Sequence, residues 1–153
     1  MKRTLLAALS FTFLLTAALP SLAEAKAKQK IEWLHNYDKA VELSKSEHKP
    51  ILIFFTGSDW CGWCKKLKKE VFDKPEFAES MGDKFVYLEI DQPMKGQSSD
   101  LEEQKDKLQK QYGIRGLPAV VIVDSNGRQI AQTGYKEGGP EAYAKHLQQL
   151  ANR

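Results

Sequence analysis

The sequence predicts an α/β domain, a mixed central sheet flanked by helices on both faces. Three observations carry this expectation. Ile51-Leu52-Ile53-Phe54-Phe55 is an unbroken apolar run, as a central strand covered on both faces requires. Helically spaced apolar residues separate this run from later β-type segments. Asn126-Gly127, between two such segments, is the signal of a tight hairpin and places one antiparallel pair in the sheet.

The elements follow in order. The chain has 153 residues, and its start reads as an export signal rather than as part of the fold. Lys2 and Arg3 precede the uncharged, mostly apolar run Leu5 to Leu19. Pro20 and the small-residue sites Ser21-Leu22-Ala23 and Ala23-Glu24-Ala25 come next. A single membrane anchor is the competing reading, but a spanning helix needs roughly 20 apolar residues and this run is shorter. Residues 1–25 are thus expected to be a cleaved signal peptide and 26–153 the domain, a length suited to one hydrophobic core. No Cys lies near the cut, which argues against a lipid anchor.

Residues 25–30 form a polar leader, and Ile31-Glu32-Trp33 reads as a short edge strand. Asn36 or Asp38 caps a helix reaching about Glu47, with Tyr37, Ala40, Val41 and Ser44 facing inward. Lys49-Pro50 ends it, and the central strand follows. Thr56 to Asp59 is a turn into a helix beginning near Cys61. Cys64, Leu67 and Val71, at i, i+3 and i+7, share the inner face of that helix, while Lys65, Lys66, Lys68 and Lys69 lie off it. This spacing turns Cys64 inward and puts Cys61 at an exposed N-terminal tip. A helical turn spans Pro75 to Met81. Val86, Leu88 and Ile90 alternate with Phe85, Tyr87 and Glu89 in a strand. Gln92 to Ser99 is loop, and Asp100 to Tyr112 is a polar helix anchored by Leu101, Leu108 and Tyr112. Ala119 to Val123 and Gln129 to Thr133 flank the hairpin turn. Pro140 opens the last helix at its first position, with Tyr143, Leu147 and Leu150 inward. The order β-α-β-α-β-β-α gives the mixed sheet.

Charge excludes little. Losing residues 1–25 takes away Lys2, Arg3 and Glu24, two bases and one acid, so the formal charge of +3 falls to +2. The remaining lysines alternate with acids, with no basic stripe of the kind nucleic acid requires. Cysteine is the informative residue. Small exported domains often carry several disulfide staples, whereas this chain has two Cys, Cys61 and Cys64, in one Cys-x-x-Cys unit. A bridge closing so few residues constrains the unfolded chain little, which favours redox chemistry over bracing. At a helix N-terminus, unpaired N–H groups and the helix dipole stabilise negative charge, so Cys61 is the expected thiolate nucleophile. Cys64, one turn later, resolves the mixed disulfide. A structural zinc site needs about four ligands, and His35, His48 and His146 lack ligand spacing. Covalent haem requires His after the second Cys, and residue 65 is Lys. No metal or other cofactor is therefore expected.

Trp60-Cys61-Gly62-Trp63-Cys64-Lys65, entered from an apolar strand, resembles the active site of the thioredoxin superfamily. Tyr112-Gly113-Ile114-Arg115-Gly116-Leu117-Pro118 resembles the segment carrying that family's cis-proline, and the likeness extends from about Ile31 to Ala151. It implies a thioredoxin-like fold and a cis Pro118 opposite the cysteines. It also implies a free Leu117 backbone to pair with an extended substrate, and protein partners bearing disulfides or thiols. Trp60 and Trp63 would give an apolar docking rim, Trp63 because it lies off the Cys64–Leu67–Val71 face. Phe55 to Cys61 and Leu67 to Phe72 are most similar to exported bacterial thioredoxin-like proteins. That likeness implies a periplasmic reductant, supplied with electrons by a membrane donor and free of the membrane once its signal is removed. An oxidant using the same pair in reverse, and a binding module in which the pair is incidental, are the competing functions. Two departures stand out. The family's buried Asp is replaced by Phe54 or Phe55, leaving Asp59 and Glu89 as proton-transfer candidates that otherwise read as solvated charges. Gly62-Trp63 also lacks the His that stabilises a thiolate in strong oxidants of this fold, which tilts the reading toward a reductase. The stretch from Gln92 to Lys110, longer than in a minimal thioredoxin, is either a solvated helix or a determinant of partner choice.

Overall fold

Every residue of the run Ile51–Thr56 is buried. In the computed structural model, which describes residues 30–152, this strand (β2) is the middle of five, in the order β1-β3-β2-β4-β5. The expected signal peptide and its cleavage site lie outside the described residues. β3 (Val86–Asp91) runs parallel to β2, and β1 (Trp33–Leu34) runs parallel to β3 at the edge. β4 (Ala119–Val123) is antiparallel to β2, and β5 (Gln129–Thr133) is antiparallel to β4. The sheet is mixed, as the alternation of helices and strands ahead of one hairpin requires.

Residues alternate across β2 and so feed two cores. Ile51, Ile53 and Phe55 pack with Ala40 of α1 (Tyr37–Glu47) and with Leu108 of α4 (Ser99–Gln111). Leu52 and Phe54 face the opposite side. There they meet Cys64 and Leu67 of α2 (Gly62–Leu67), Phe77 of α3 (Pro75–Met81), and Tyr143 and Leu147 of α5 (Gly139–Ala151). Burying each Leu, Ile or Phe among them contributes about 1.5–3 kcal/mol. Helices therefore cover both faces, and this is the thioredoxin-like fold.

Several local outcomes differ from the sequence reading, each for a physical reason. The edge strand begins at Trp33 rather than Ile31. Trp33 is anchored by ring contacts to Phe54, Phe72 and Tyr87, and Ile31 turns into the core instead. α2 runs on into a π-helical segment, Lys68–Phe72, in which the Asp73 N–H reaches back to the Lys68 carbonyl. The wider turn brings Val71 and Phe72 into the core together, which α-helical spacing does not anticipate. α4 is held by more than the buried Leu108 and the Tyr112 that follows the helix. Gln104 accepts from the Tyr37 N–H at 2.7 Å and donates to the His35 carbonyl at 2.9 Å, tying α4 to the start of α1. Asn36 is the cap of α1, accepting from the Lys39 N–H. In α5 the first helical residue is Gly139, so Pro140 stands second.

Candidate functional site

β2 delivers the chain to the site. Its last residue, Thr56, leads into a turn closed by the Cys61 N–H on the Gly57 carbonyl at 2.9 Å. Cys61 keeps an extended backbone (φ −80°, ψ 103°) and is the N-cap of α2, its carbonyl accepting from the Lys65 N–H. The Cys64 N–H donates to Cys61 Sγ at 3.2 Å. The sulfur thus occupies the place an oxygen takes in an ordinary helix cap, where unpaired N–H groups converge. Cys61 and Cys64, with Cα atoms 5.2 Å apart, are joined as a disulfide.

Cys64 is 1% exposed, on the inner face that spacing predicts. Cys61 is also buried, at 7%, and the expectation of an exposed tip is corrected to this extent. Its sulfur is bonded back over the first turn of α2 rather than projecting from it. What projects is the tryptophans, Trp60 at 46% and Trp63 at 56% exposure. The Trp60 indole N–H donates to the Gln92 carbonyl at 2.7 Å, and the ring lies over Gly57, where a Cβ would come within 2.5 Å of it.

Leu117 and Pro118 immediately precede β4, whose first residue, Ala119, pairs with Phe55. They therefore lie at the end of the sheet from which the cysteine loop departs. The peptide bond between them is cis. Leu117 is half-buried against both cores, and the Pro118 carbonyl leaves little room at Gly134, where a Cβ would stand 3.2 Å away.

The proton-transfer candidates differ from each other. Asp59 is exposed and accepts from the Met94 N–H. Glu89 is not a solvated charge. It lies beside Phe54 in the sheet register with its side chain 11% exposed, and its carboxylate accepts from Lys68 Nζ at 2.8 Å. Phe54 and Phe55 are both fully buried, Phe54 on the cysteine side of the sheet.

A group beside Trp63 escapes the sequence reading. Tyr135, just after β5, sets its ring 5.2 Å from that of Trp63, and Lys66 Nζ lies 5.0 Å from each ring centroid. The Tyr135 hydroxyl donates to Glu70 Oε2 at 2.7 Å. The hydrogen bond with Tyr135 raises the Lys66 pKa above its ordinary value, and Glu70, accepting the phenol proton, raises that of Tyr135. Trp63, Lys66 and Glu70 stand at i, i+3 and i+7 of one helix face, the single hint available in the sequence. Among the described residues, no three His, Cys, Asp or Glu side chains gather so as to hold a metal ion.

A mixed sheet that presents a dithiol pair at a helix start defines a thiol–disulfide oxidoreductase with the thioredoxin fold. The chain belongs to the thioredoxin-like domain family, whose model matches residues 37–151. It is 38% identical over 122 residues to the disulfide bond reductase DsbH of Chlamydia pneumoniae, covering 79% of this chain and 73% of that protein. It is 34% identical to the thioredoxin-related protein DsbJ of the same organism, over 80% of this chain but only 36% of the relative. The solved structure of a DsbH oxidoreductase superimposes with a TM-score of 0.78 at 33% identity, covering 93% of this chain and 95% of the other.

Proposed function

We propose that the chain is a periplasmic protein-disulfide reductase, exported by a signal peptide over residues 1–25 that is then removed. The observation that carries this reading is Cys61 Sγ held as the cap of α2 by the Cys64 N–H, with Cys64 buried one turn behind it. In the dithiol form, Cys61 gives up its proton and its thiolate attacks one sulfur of a substrate disulfide. The S–S bond breaks, and the departing sulfur takes a proton. Cys64 then loses its proton and attacks Cys61, releasing the second substrate thiol and leaving the Cys61–Cys64 disulfide. Two electrons pass to the substrate, and an external thiol donor, in this reading a membrane protein, must return them.

Trp60 and Trp63 frame the entry with apolar surface, and the Leu117–Pro118 backbone at the same end of the sheet receives the substrate chain. Gly62-Trp63 places no His beside the nucleophile, and the relative DsbH is named as a reductase. Both support reduction over oxidation. On the cysteine side of the sheet, Lys68 and Glu89 form a partly buried ion pair at 2.8 Å, with Glu89 beside Phe54 in the strand register.

The test is Cys64→Ala in cells of the source organism. The variant is expected to accumulate substrates as mixed disulfides through Cys61, visible on non-reducing gels and absent in Cys61→Ala/Cys64→Ala. Recovery of no covalent partner would refute the relay. Direction is read from the reduction potential. A value near thioredoxin's, about −270 mV, supports a reductase, and one near DsbA's, about −120 mV, an oxidant.

A further inference from the structure

Three successive residues just ahead of Cys61 each grip the end of β3 or the segment that follows it. The Ser58 N–H and hydroxyl donate to the Asp91 carboxylate at 2.8 and 2.6 Å. The Asp59 carboxylate accepts from the Met94 N–H, at 3.1 and 3.0 Å to its two oxygens. The Trp60 indole donates to the Gln92 carbonyl. Gln92 in turn accepts from the Gln109 side chain at 2.9 Å, so the clip reaches into α4. The longer stretch after β3 is thereby fastened to the catalytic loop. What it presents there is apolar: Met94 is 73% exposed, the most exposed large hydrophobic side chain among the described residues.

We infer that Met94, held by Asp59, is a specificity-determining residue that, with Trp60, receives an apolar side chain next to the reacting cysteine of an extended substrate segment. The inference rests on the reductase reading above and names its substrate class. Cys61 is recessed while Trp60, Trp63 and Met94 are exposed, and the Met94 backbone is held by Asp59, two residues ahead of Cys61. A flat folded surface cannot bring its sulfur into such a recess, but a protruding chain segment can, and the residues beside its cysteine then meet the projecting side chains. Methionine is unbranched and polarisable, so it adapts to apolar partners of different shape and packs well against an aromatic ring. The selection is accordingly for apolar character rather than for one sequence. The three hydrogen-bonded contacts fix the backbone of the loop in advance, so little ordering remains to oppose binding.

The experiment uses the reduced domain and three small disulfides: hydroxyethyl disulfide and the symmetric disulfides of blocked Leu-Cys-Leu and Ser-Cys-Ser peptides. Second-order reduction rates are measured by stopped flow for wild type, Met94→Gln and Asp59→Asn. Wild type is expected to reduce the leucine peptide about fivefold or more faster than the serine peptide, as apolar contact at a half-open surface allows. Met94→Gln is expected to bring the ratio below about twofold, with Asp59→Asn in between because the loop is loosened but Met94 remains. A ratio unchanged in Met94→Gln, or no preference in wild type while hydroxyethyl disulfide is still reduced, overturns this inference alone. Failure of wild type to reduce any of the three overturns the reductase reading with it.

Discussion

Gly57 shows how much of the site is decided by one missing side chain. The Trp60 indole fills the space a Cβ would occupy, and from that position its N–H donates to the Gln92 carbonyl. Gly57→Ala is expected to cost about 1–3 kcal/mol, the usual range for overpacking, and to shift Trp60 fluorescence, both measurable in one denaturant titration. An unchanged midpoint and spectrum would mean that the indole moves freely. At this scale the sequence was partly legible. Cys64 could be turned inward from Leu67 and Val71, three and seven residues on. Tyr135 could not be placed, because its partners Trp63, Lys66 and Glu70 lie far off in the chain and meet it only when the residues after β5 come beside α2. Glu89 was misjudged for a related reason. Its partner, Lys68, comes from a helix, and strand alternation says nothing of that.

Among the elements, the β4–β5 hairpin is the best specified. Gly127 adopts φ +78°, a conformation that Gly takes without a side-chain penalty, and a Cβ there would meet the Tyr37 hydroxyl at 2.5 Å. The Asp124 carboxylate accepts from the Asn126 and Arg128 N–H groups, each at 2.9 Å, and the Arg128 contact first among several holds its pKa below the usual value. A carboxylate with a lowered folded-state pKa stabilises the fold above its unfolded pKa, about 3.9, and loses that contribution as pH falls through the folded value. Asp124→Asn should therefore lower the urea midpoint at pH 7, with the gap to wild type narrowing below about pH 4. A gap independent of pH would remove the charge from the account. α2 is the opposite case. Its cap was legible in Cys61, but its π-helical continuation was not, since that depends on Val71 and Phe72 competing for the same core.

For the whole molecule, the apolar run of β2 is both the centre of the fold and the means of positioning the site. Phe54 packs beneath the cysteine helix, against Trp33 and Phe72. Phe54→Ala is expected to cost about 3–5 kcal/mol, with a matching fall in thermal midpoint, because a cavity would open between the sheet and α2. A loss below about 1 kcal/mol would show that this face of the core is not tightly packed. The mixed sheet was legible because its evidence is local: one two-sided apolar run, one Asn-Gly turn, and helices with clear inner faces. The clip between the cysteine loop and the end of β3 with the residues after it was not, because Ser58, Asp59 and Trp60 find Asp91, Met94 and Gln92 only once β2 and β3 lie side by side.

Alkylation of the reduced domain by iodoacetamide across pH, with the modified cysteine identified by mass spectrometry, tests the central claim most directly. Cys61 is expected to react first, with an apparent pKa below the value of about 8.5 for a free thiol, and Cys64 to stay protected. A Cys61 no more acidic than a free thiol, or a Cys64 that reacts faster, would contradict a nucleophile made by the start of α2.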